Sequence, residues 1–345
     1  MKKRAFIFIS GIVIFTFIFL FSEEFTVGFS AGLSNCANIV IPSLFPFIAA
    51  STLIGYGKLP TIITRILKPL TERVFRLPPD SFPAIILGQL GGYLVGASSA
   101  ASLCSSGSIS RSQAQKLVLF CVNSGIGFSV NAVGSSLLGS REAGRILLFS
   151  LCISSVAVGI CTRFIPEKEE TTQKAIVNNI GFSSATVMSV YSASSAMLNC
   201  CGFVCLFSGL SSALSSIIRN PVISIAAACI LEVTSGCAAA VGKVSLPVIA
   251  AICAFGGLCV HMQIFSLTES IGINIPTFYF FRLLHTVLAY VFCRIILYFH
   301  PIREEVFISI SSNVRLWSFS APAAISLLLM CALLILDLDN GKKIC

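Results

Sequence analysis

Charged residues are scarce in this chain of 345 residues. Asp, Glu, Lys and Arg make up 11% of the sequence, against about 25% in an average soluble domain. Hydrophobic residues make up 56%, and the mean hydropathy is +0.94. This composition excludes a water-soluble globular domain and is typical of a polytopic membrane protein. The net charge of +9 requires no nucleic-acid partner, because Lys and Arg collect in the cytoplasmic loops of membrane proteins.

The sequence also lacks the metal-site motifs of common enzymes. It has no His-Glu-x-x-His pair and no cluster of acids that could hold a catalytic metal. The stretch 236–243 resembles a phosphate-binding loop but has one residue too many between its glycines. The fifteen cysteines lie mostly in apolar runs and form no Cys-x-x-Cys pair, so we interpret them as small hydrophobic residues. We expect no enzyme, no cofactor and no metal site.

Ten apolar runs approach or exceed the roughly 20 residues that a membrane-spanning helix requires. If the third run crossed the membrane fully, Arg111 and Lys116 would lie on the outer side. If it is re-entrant, entering and leaving the membrane on the same side, both residues stay in the cytoplasm. Treating the third and seventh runs as re-entrant gives an all-α protein with eight crossings, two hairpins and both termini cytoplasmic; ten full crossings is the alternative. The runs are 5–21, 36–56, 82–103, 114–138, 146–165, 183–214, 221–241, 246–267, 278–299 and 319–336.

The third run contains a glycine-rich stretch, residues 88–102, with four glycines and Gln89. Glycine weakens a helix by about 1 kcal/mol relative to alanine and permits left-handed backbone. Within a membrane, backbone that leaves the helix must be buried in protein or line a wet cavity. The stretch therefore predicts a break at a substrate site, although small residues that allow close helix packing would give the same pattern.

Glu232 is the strongest single candidate for a functional residue, because it interrupts the seventh apolar run and Thr-Ser-Gly follows at 234–236. A carboxylate at membrane depth costs at least a few kcal/mol unless it is paired or hydrated, so it indicates function by default. It could couple transport to a proton or cation, or accept hydrogen bonds from substrate. A purely structural role for the buried acid is the alternative.

Polar residues near these two interruptions complete the expected substrate site. His261 could equally be a packing residue, and Arg282 and His285 are expected to extend toward the membrane surface without a site role. On this interpretation no Lys or Arg lies beside the site. The expected substrate-binding residues are Gln89, Gly91, Gly92, Tyr93, Asn123, Ser124, Glu232, Thr234, Ser235, Gly236, His261 and Gln263.

The polar interruptions occur in the same order in two halves of the chain, which predicts an inverted repeat. In the first half a glycine-rich break is followed by Phe-Cys-Val-Asn-Ser-Gly at 120–125; in the second, Glu232 is followed by Ala-Phe-Gly-Gly at 254–257. Inverted halves with one broken helix each are common in secondary transporters. We expect one membrane domain, 1–345, comprising an N-terminal helix 1–25, repeat halves 34–165 and 183–268, and C-terminal helices 278–337.

Five motifs together resemble one known family. They are Ile-Pro-Ser-Leu-Phe-Pro-Phe at 41–47, Phe-Arg-Leu-Pro at 75–78, Gly-x-x-Gly-Gly-Tyr-x-Val-Gly-Ala at 88–97, Leu-Glu-Val-Thr-Ser-Gly at 231–236 and Phe-Gly-Gly-Leu-x-Val-His-Met-Gln at 255–263. The chain is similar in these to the sporulation integral membrane protein YlbJ family. The resemblance implies the nucleoside-recognition (Gate) superfamily and a fold related to concentrative nucleoside transporters.

The resemblance also implies a cellular location and a substrate. The family acts in endospore formation, in the mother cell's membrane facing the forespore, and is taken to move dipicolinic acid toward the spore. A dianion beside Glu232 is an awkward fit, so transport of nucleosides or similar neutral metabolites stays open. A non-transporting sporulation scaffold is the third possibility. Besides substrate, the lipid bilayer is the only partner expected, and the sequence leaves the oligomeric state open.

Overall fold

The computed structural model describes residues 2–56, 66, 68–69, 71–166 and 181–302. Within these residues every regular element is a helix, as expected. The α-helices are α1 Lys2–Leu20, α2 Ser22–Asn35, α3 Ile41–Tyr56, α4 Phe82–Gly91, α5 Tyr93–Ser105, α6 Arg111–Cys121, α7 Arg141–Thr162, α8 Phe182–Ile217, α9 Pro221–Leu231, α10 Val233–Ala240, α11 Leu246–Phe255, α12 Gly257–Leu267 and α13 Ile275–Phe299. π-Helical turns occupy Cys36–Val40, Thr71–Phe75 and Gly127–Leu137, and a 3-10 turn occupies Pro79–Ser81.

The N-terminal region consists of two helical segments. α1 meets the second segment, Ser22–Val40, at an angle of 97°. Within that segment α2 packs along α8, where a Cβ on Gly28 would collide with the carbonyl oxygen of Ser208 and a Cβ on Gly32 would lie 3.0 Å from the Cα of Cys205. The four-residue spacing of these glycines is the small-residue packing pattern of membrane helices.

Two pairs of short helices fold back on themselves. A Cβ on Gly96 would lie 3.3 Å from the Cα of Gly88, although eight residues of straight helix span about 12 Å. Likewise a Cβ on Gly236 would lie 2.5 Å from the Cα of Cys229, seven residues earlier. α4 with α5, and α9 with α10, therefore form two helical hairpins, called here the first and second hairpin.

Each hairpin is followed by a helix with a break in the middle. α6 ends at Cys121, and the π-helical segment begins at Gly127 after a short non-helical stretch. α11 and α12 are separated by Gly256, whose φ is 84°. The second break leaves the helix by left-handed backbone, which only glycine adopts at low cost. These are called here the first and second break.

Four described helices are long and apolar enough to cross a membrane: Arg141–Thr162, Phe182–Ile217, Leu246–Leu267 and Ile275–Phe299. The bent pair at the N-terminus would make a fifth. This is consistent with a polytopic membrane protein, while eight crossings, re-entrant hairpins and the boundaries of the repeat halves stay predictions. The run at 319–336 lies outside the described residues, as do residues 57–65, 67 and 70 before α4.

Candidate substrate pocket between the two hairpin tips

The tip of the first hairpin packs against the first break. The chain turns at Gly92, where φ is 110° and ψ is −179°, a conformation that glycine alone tolerates. A Cβ on Gly125 would lie 2.5 Å from the backbone nitrogen of Gly92 and 2.6 Å from the carbonyl carbon of Gly91. Backbone therefore touches backbone here, with glycine on both sides of the contact.

The tip of the second hairpin packs against the second break in the same manner. A Cβ on Gly257 would lie 3.2 Å from the nitrogen of Val233 and 3.3 Å from the Cα of Glu232. The chain turns here at Glu232 in extended conformation, with φ −147° and ψ 124°. The two halves thus repeat one arrangement, a hairpin tip against a helix break, but with different residues at the tip.

Glu232 caps the helix that follows it. Its Oε1 accepts a hydrogen bond from the backbone N–H of Thr234 at 2.8 Å, and its Oε2 accepts one from Ser235 at 2.7 Å. The side chain is only 1% exposed. The carboxylate therefore meets the positive end of the α10 dipole and satisfies two N–H groups that would otherwise lack partners. This explains how an acid is tolerated at this depth.

Both hairpin tips line one pocket, whose cavity volume is about 40 Å³. Its polar lining comes from Tyr93 at the first tip, Glu232 and Thr234 at the second tip, and Gln263 on α12. Apolar side chains form the rest of the wall, and no Lys, Arg or His lines it among the described residues. The full lining is Ile39, Val40, Leu44, Gly92, Tyr93, Leu94, Gly125, Phe128, Cys200, Val204, Glu232, Val233, Thr234, Val260 and Gln263.

The second break exposes three successive carbonyls, and each accepts a hydrogen bond from a different element. The Tyr93 hydroxyl donates to Cys253. Arg282 Nη1 on α13 donates to Ala254 at 3.1 Å, and His261 Nε2 on α12 donates to Phe255 at 2.8 Å. These donors replace the N–H groups that a continuous helix would have supplied. The first hairpin is thereby tied to the second break through Tyr93.

The first break is satisfied in the same manner. The carbonyl of Phe120 accepts hydrogen bonds from the Ser155 hydroxyl and from Gln89 Nε2, the latter at 3.3 Å. The carbonyl of Val122 accepts one from Arg282 Nη1 at 3.0 Å. Asn123 Nδ2 donates in turn to Gln89 Oε1 at 2.7 Å. Arg282 thus bonds to carbonyls at both breaks.

The expectation that Arg282 and His285 extend toward the membrane surface is wrong. Arg282 is 1% exposed and His285 2% exposed. The His285 Nε2 donates to the carbonyl of Leu151 at 3.3 Å, which leaves Nδ1 to accept from Arg282 Nη1 at 3.4 Å. Freed carbonyls at the breaks draw the guanidinium inward, because an unsatisfied buried carbonyl is costly. An arginine therefore lies near the site, behind the pocket wall.

The twelve residues expected to bind substrate fall into three groups. Five line the pocket: Gly92, Tyr93, Glu232, Thr234 and Gln263. Four others pack or bond at the breaks behind it: Gln89, Gly91, Asn123 and His261. The remaining three lie near these groups without lining the pocket: Ser124, which bonds Ser129; Ser235, whose N–H Glu232 caps; and Gly236, which packs on Cys229.

Sequence reasoning missed the apolar wall of the pocket and the role of Arg282. An arginine inside an apolar run indicates a functional or structural site by itself. Its partners, however, are backbone carbonyls, and no sequence motif identifies these. Cys200 and Val204 on α8 line the pocket as ordinary helical residues. The thirteen cysteines among the described residues are free. No group of three or more His, Cys, Asp or Glu residues in that part of the chain could hold a metal ion.

Comparison with known proteins gives one informative match. The sporulation integral membrane protein YlbJ of Bacillus subtilis (strain 168) is 31% identical to this chain over 140 residues, which cover 40% of this chain and 34% of the relative. The alignment thus spans about a third of the relative's length. No protein-family profile matches the chain, and no solved structure matches it. The similarity agrees with the resemblance predicted from the motifs: over the aligned stretch the chain is similar to a sporulation integral membrane protein.

Proposed function

We propose that this protein is a secondary transporter that carries a small metabolite through the pocket between the two hairpin tips. The observation that carries the proposal is that both tips and a buried acid line one pocket. In transporters with inverted halves, broken helices meet near the membrane midplane and form the substrate site. On this proposal the hairpins are re-entrant, the halves 34–165 and 183–268 are inverted repeats, and both termini are cytoplasmic.

Dipicolinic acid is the proposed substrate, moved during endospore formation across the mother cell's membrane that faces the forespore. This substrate is supported by the sequence similarity to a sporulation integral membrane protein, together with the family resemblance of the motifs. The N-terminal ends of α5 and α10 meet the pocket at the two tips. Helix N-termini attract anions through their free N–H groups, so the α5 end could accept one carboxylate of a planar dianion.

A neutral substrate such as a nucleoside is the second candidate. The observation that favours it is the pocket lining, which contains the carboxylate of Glu232 and, among the described residues, no basic side chain. Glu232, Thr234 and Gln263 offer acceptors and donors that suit hydroxyl and amide groups.

The test is uptake by vesicles that contain the purified protein, with labelled dipicolinate and labelled uridine offered separately. We expect dipicolinate to enter, and Glu232→Gln to reduce its uptake at least about tenfold, since the NH2 group of Gln cannot accept one of the two N–H bonds that fix the second tip. Glu142→Gln, an exposed acid in the first turn of α7, is the matched control and should leave uptake unchanged.

Three outcomes separate the alternatives. Uptake of uridine in place of dipicolinate selects the neutral substrate. Uptake of neither, with correctly folded protein in the vesicles, contradicts transport of these substrates. If Glu232→Gln leaves spore dipicolinate normal in cells while removal of the whole protein lowers it, the protein acts as a scaffold.

A further inference from the structure

Arg282 is a buried cation held by backbone carbonyls instead of an acid. One nitrogen, Nη1, contacts Val122 O, Ala254 O and His285 Nδ1, while Nε and Nη2 have no hydrogen-bond partner among the described residues. No carboxylate lies within ion-pair distance of it in that part of the chain. The ring of Phe278 adds a cation–π contact, with the guanidinium carbon 5.3 Å from its centroid.

Two helix C-termini compensate the charge. α6 ends at Cys121, just before Val122, and α11 ends at Phe255, just after Ala254. Each C-terminus carries roughly half a negative elementary charge. Two of them converging on one guanidinium balance about one positive charge, which is why Arg282 can stay buried without an acidic partner.

This arrangement is the one that holds a dissociable cation in many secondary transporters. There, half-helix C-termini and unwound carbonyls coordinate the Na⁺ or H⁺ that drives transport. Here the corresponding position, between the C-terminal carbonyls of two broken helices, is occupied by the side chain of Arg282 on α13.

We propose that Arg282 is a fixed internal cation that joins the two helix breaks in place of a bound monovalent metal ion. It is a positioning residue that acts through Val122 and Ala254, so the fold needs no sodium or potassium at this point. The idea refines the transport function proposed above, but its principal test does not require transport.

The test measures the unfolding temperature of the purified protein in detergent, in NaCl, KCl and choline chloride at equal concentration. We expect the wild-type value to be the same in all three salts. Arg282→Ala removes the cation and leaves space between the carbonyls; it should lower the value by about 5 °C or more in choline chloride. Small cations that enter the vacated space should then restore part of the loss, in NaCl or KCl only.

Two further variants keep the test decisive. Arg294→Ala, an exposed arginine on the same helix, is the matched control and should shift the unfolding temperature little and equally in all salts. Arg282→Lys keeps a cation and should fold with a smaller loss and no preference among the salts, which tests the proposal even if Arg282→Ala cannot be purified.

Two results would overturn the proposal: stabilisation of the wild type by sodium or potassium beyond choline, or an Arg282→Ala protein whose stability ignores small cations. Vesicle uptake in sodium and in choline adds a functional reading, expected to be equal for the wild type. Failure of both dipicolinate and uridine to enter would contradict transport of these substrates and leave the unfolding measurement to decide the role of Arg282.

Discussion

The two hairpins share a shape but differ in what they place at the tip. The first turns at Gly92, with no side chain, and the second turns at Glu232, whose carboxylate caps α10 and lines the pocket. A Cβ added to Gly125 would lie 2.5 Å from backbone of the first tip, and one added to Gly257 would lie 3.2 Å from backbone of the second tip. The first tip therefore contributes close backbone packing, and the second contributes a carboxylate to the pocket.

This difference predicts how each half tolerates change. The three atoms nearest to the missing Cβ of Gly125 are all backbone of the first tip, which cannot rotate away, so stability depends on glycine there. At the second tip, a substitution of Gly257 would be strained by its left-handed φ of 77°. Loss of function at this tip is expected from substitution of Glu232. Substitutions at matching positions of the two halves test this division.

Gly125→Ala should have the largest effect. The added methyl group would meet backbone of the first hairpin tip at 2.5 to 2.6 Å, so the hairpin must move away from the break. We expect a loss of about 3 kcal/mol or more, measured by thermal or denaturant unfolding of the purified protein. Gly202→Ala on α8, where nothing lies within 4 Å of the added atom, is the control and should be neutral or slightly stabilising.

Gly257→Ala should destabilise the protein less. Its Cβ contacts at 3.2 to 3.3 Å are tight but tolerable with small shifts, and the left-handed conformation costs a non-glycine residue about 1 to 2 kcal/mol. The same unfolding measurement checks the order of the two variants. A larger loss for Gly257→Ala than for Gly125→Ala would contradict the division between the halves.

The sequence predicted the elements of the site better than the contacts between them. Apolar runs and glycine clusters are local, so the helices, the break near Gly92 and the buried acid could be predicted. The run 246–267 was predicted as one continuous crossing, and its break at Gly256 was missed. The partners of Tyr93, His261 and Arg282 are carbonyls exposed by breaks elsewhere in the chain, and such pairings depend on the folded geometry.

Tyr93→Phe should have the smallest effect. The variant keeps the ring at the pocket wall and removes only the hydroxyl that donates to the Cys253 carbonyl at the second break. We expect a loss of about 1 kcal/mol, since one buried hydrogen bond is removed, and uptake at least a third of the wild-type rate. Abolished uptake with unchanged stability would instead make the Tyr93 hydroxyl a substrate ligand.

On the proposed transport function, the two tips meet within the membrane and enclose the substrate beside Glu232. A cryo-electron microscopy structure of the protein in a lipid nanodisc with saturating dipicolinate would test this directly. We expect both tips near the bilayer midplane and ligand density in contact with the backbone at Gly92 and the second tip. Tips at the level of the lipid headgroups, or an empty pocket with ligand bound elsewhere, would contradict it.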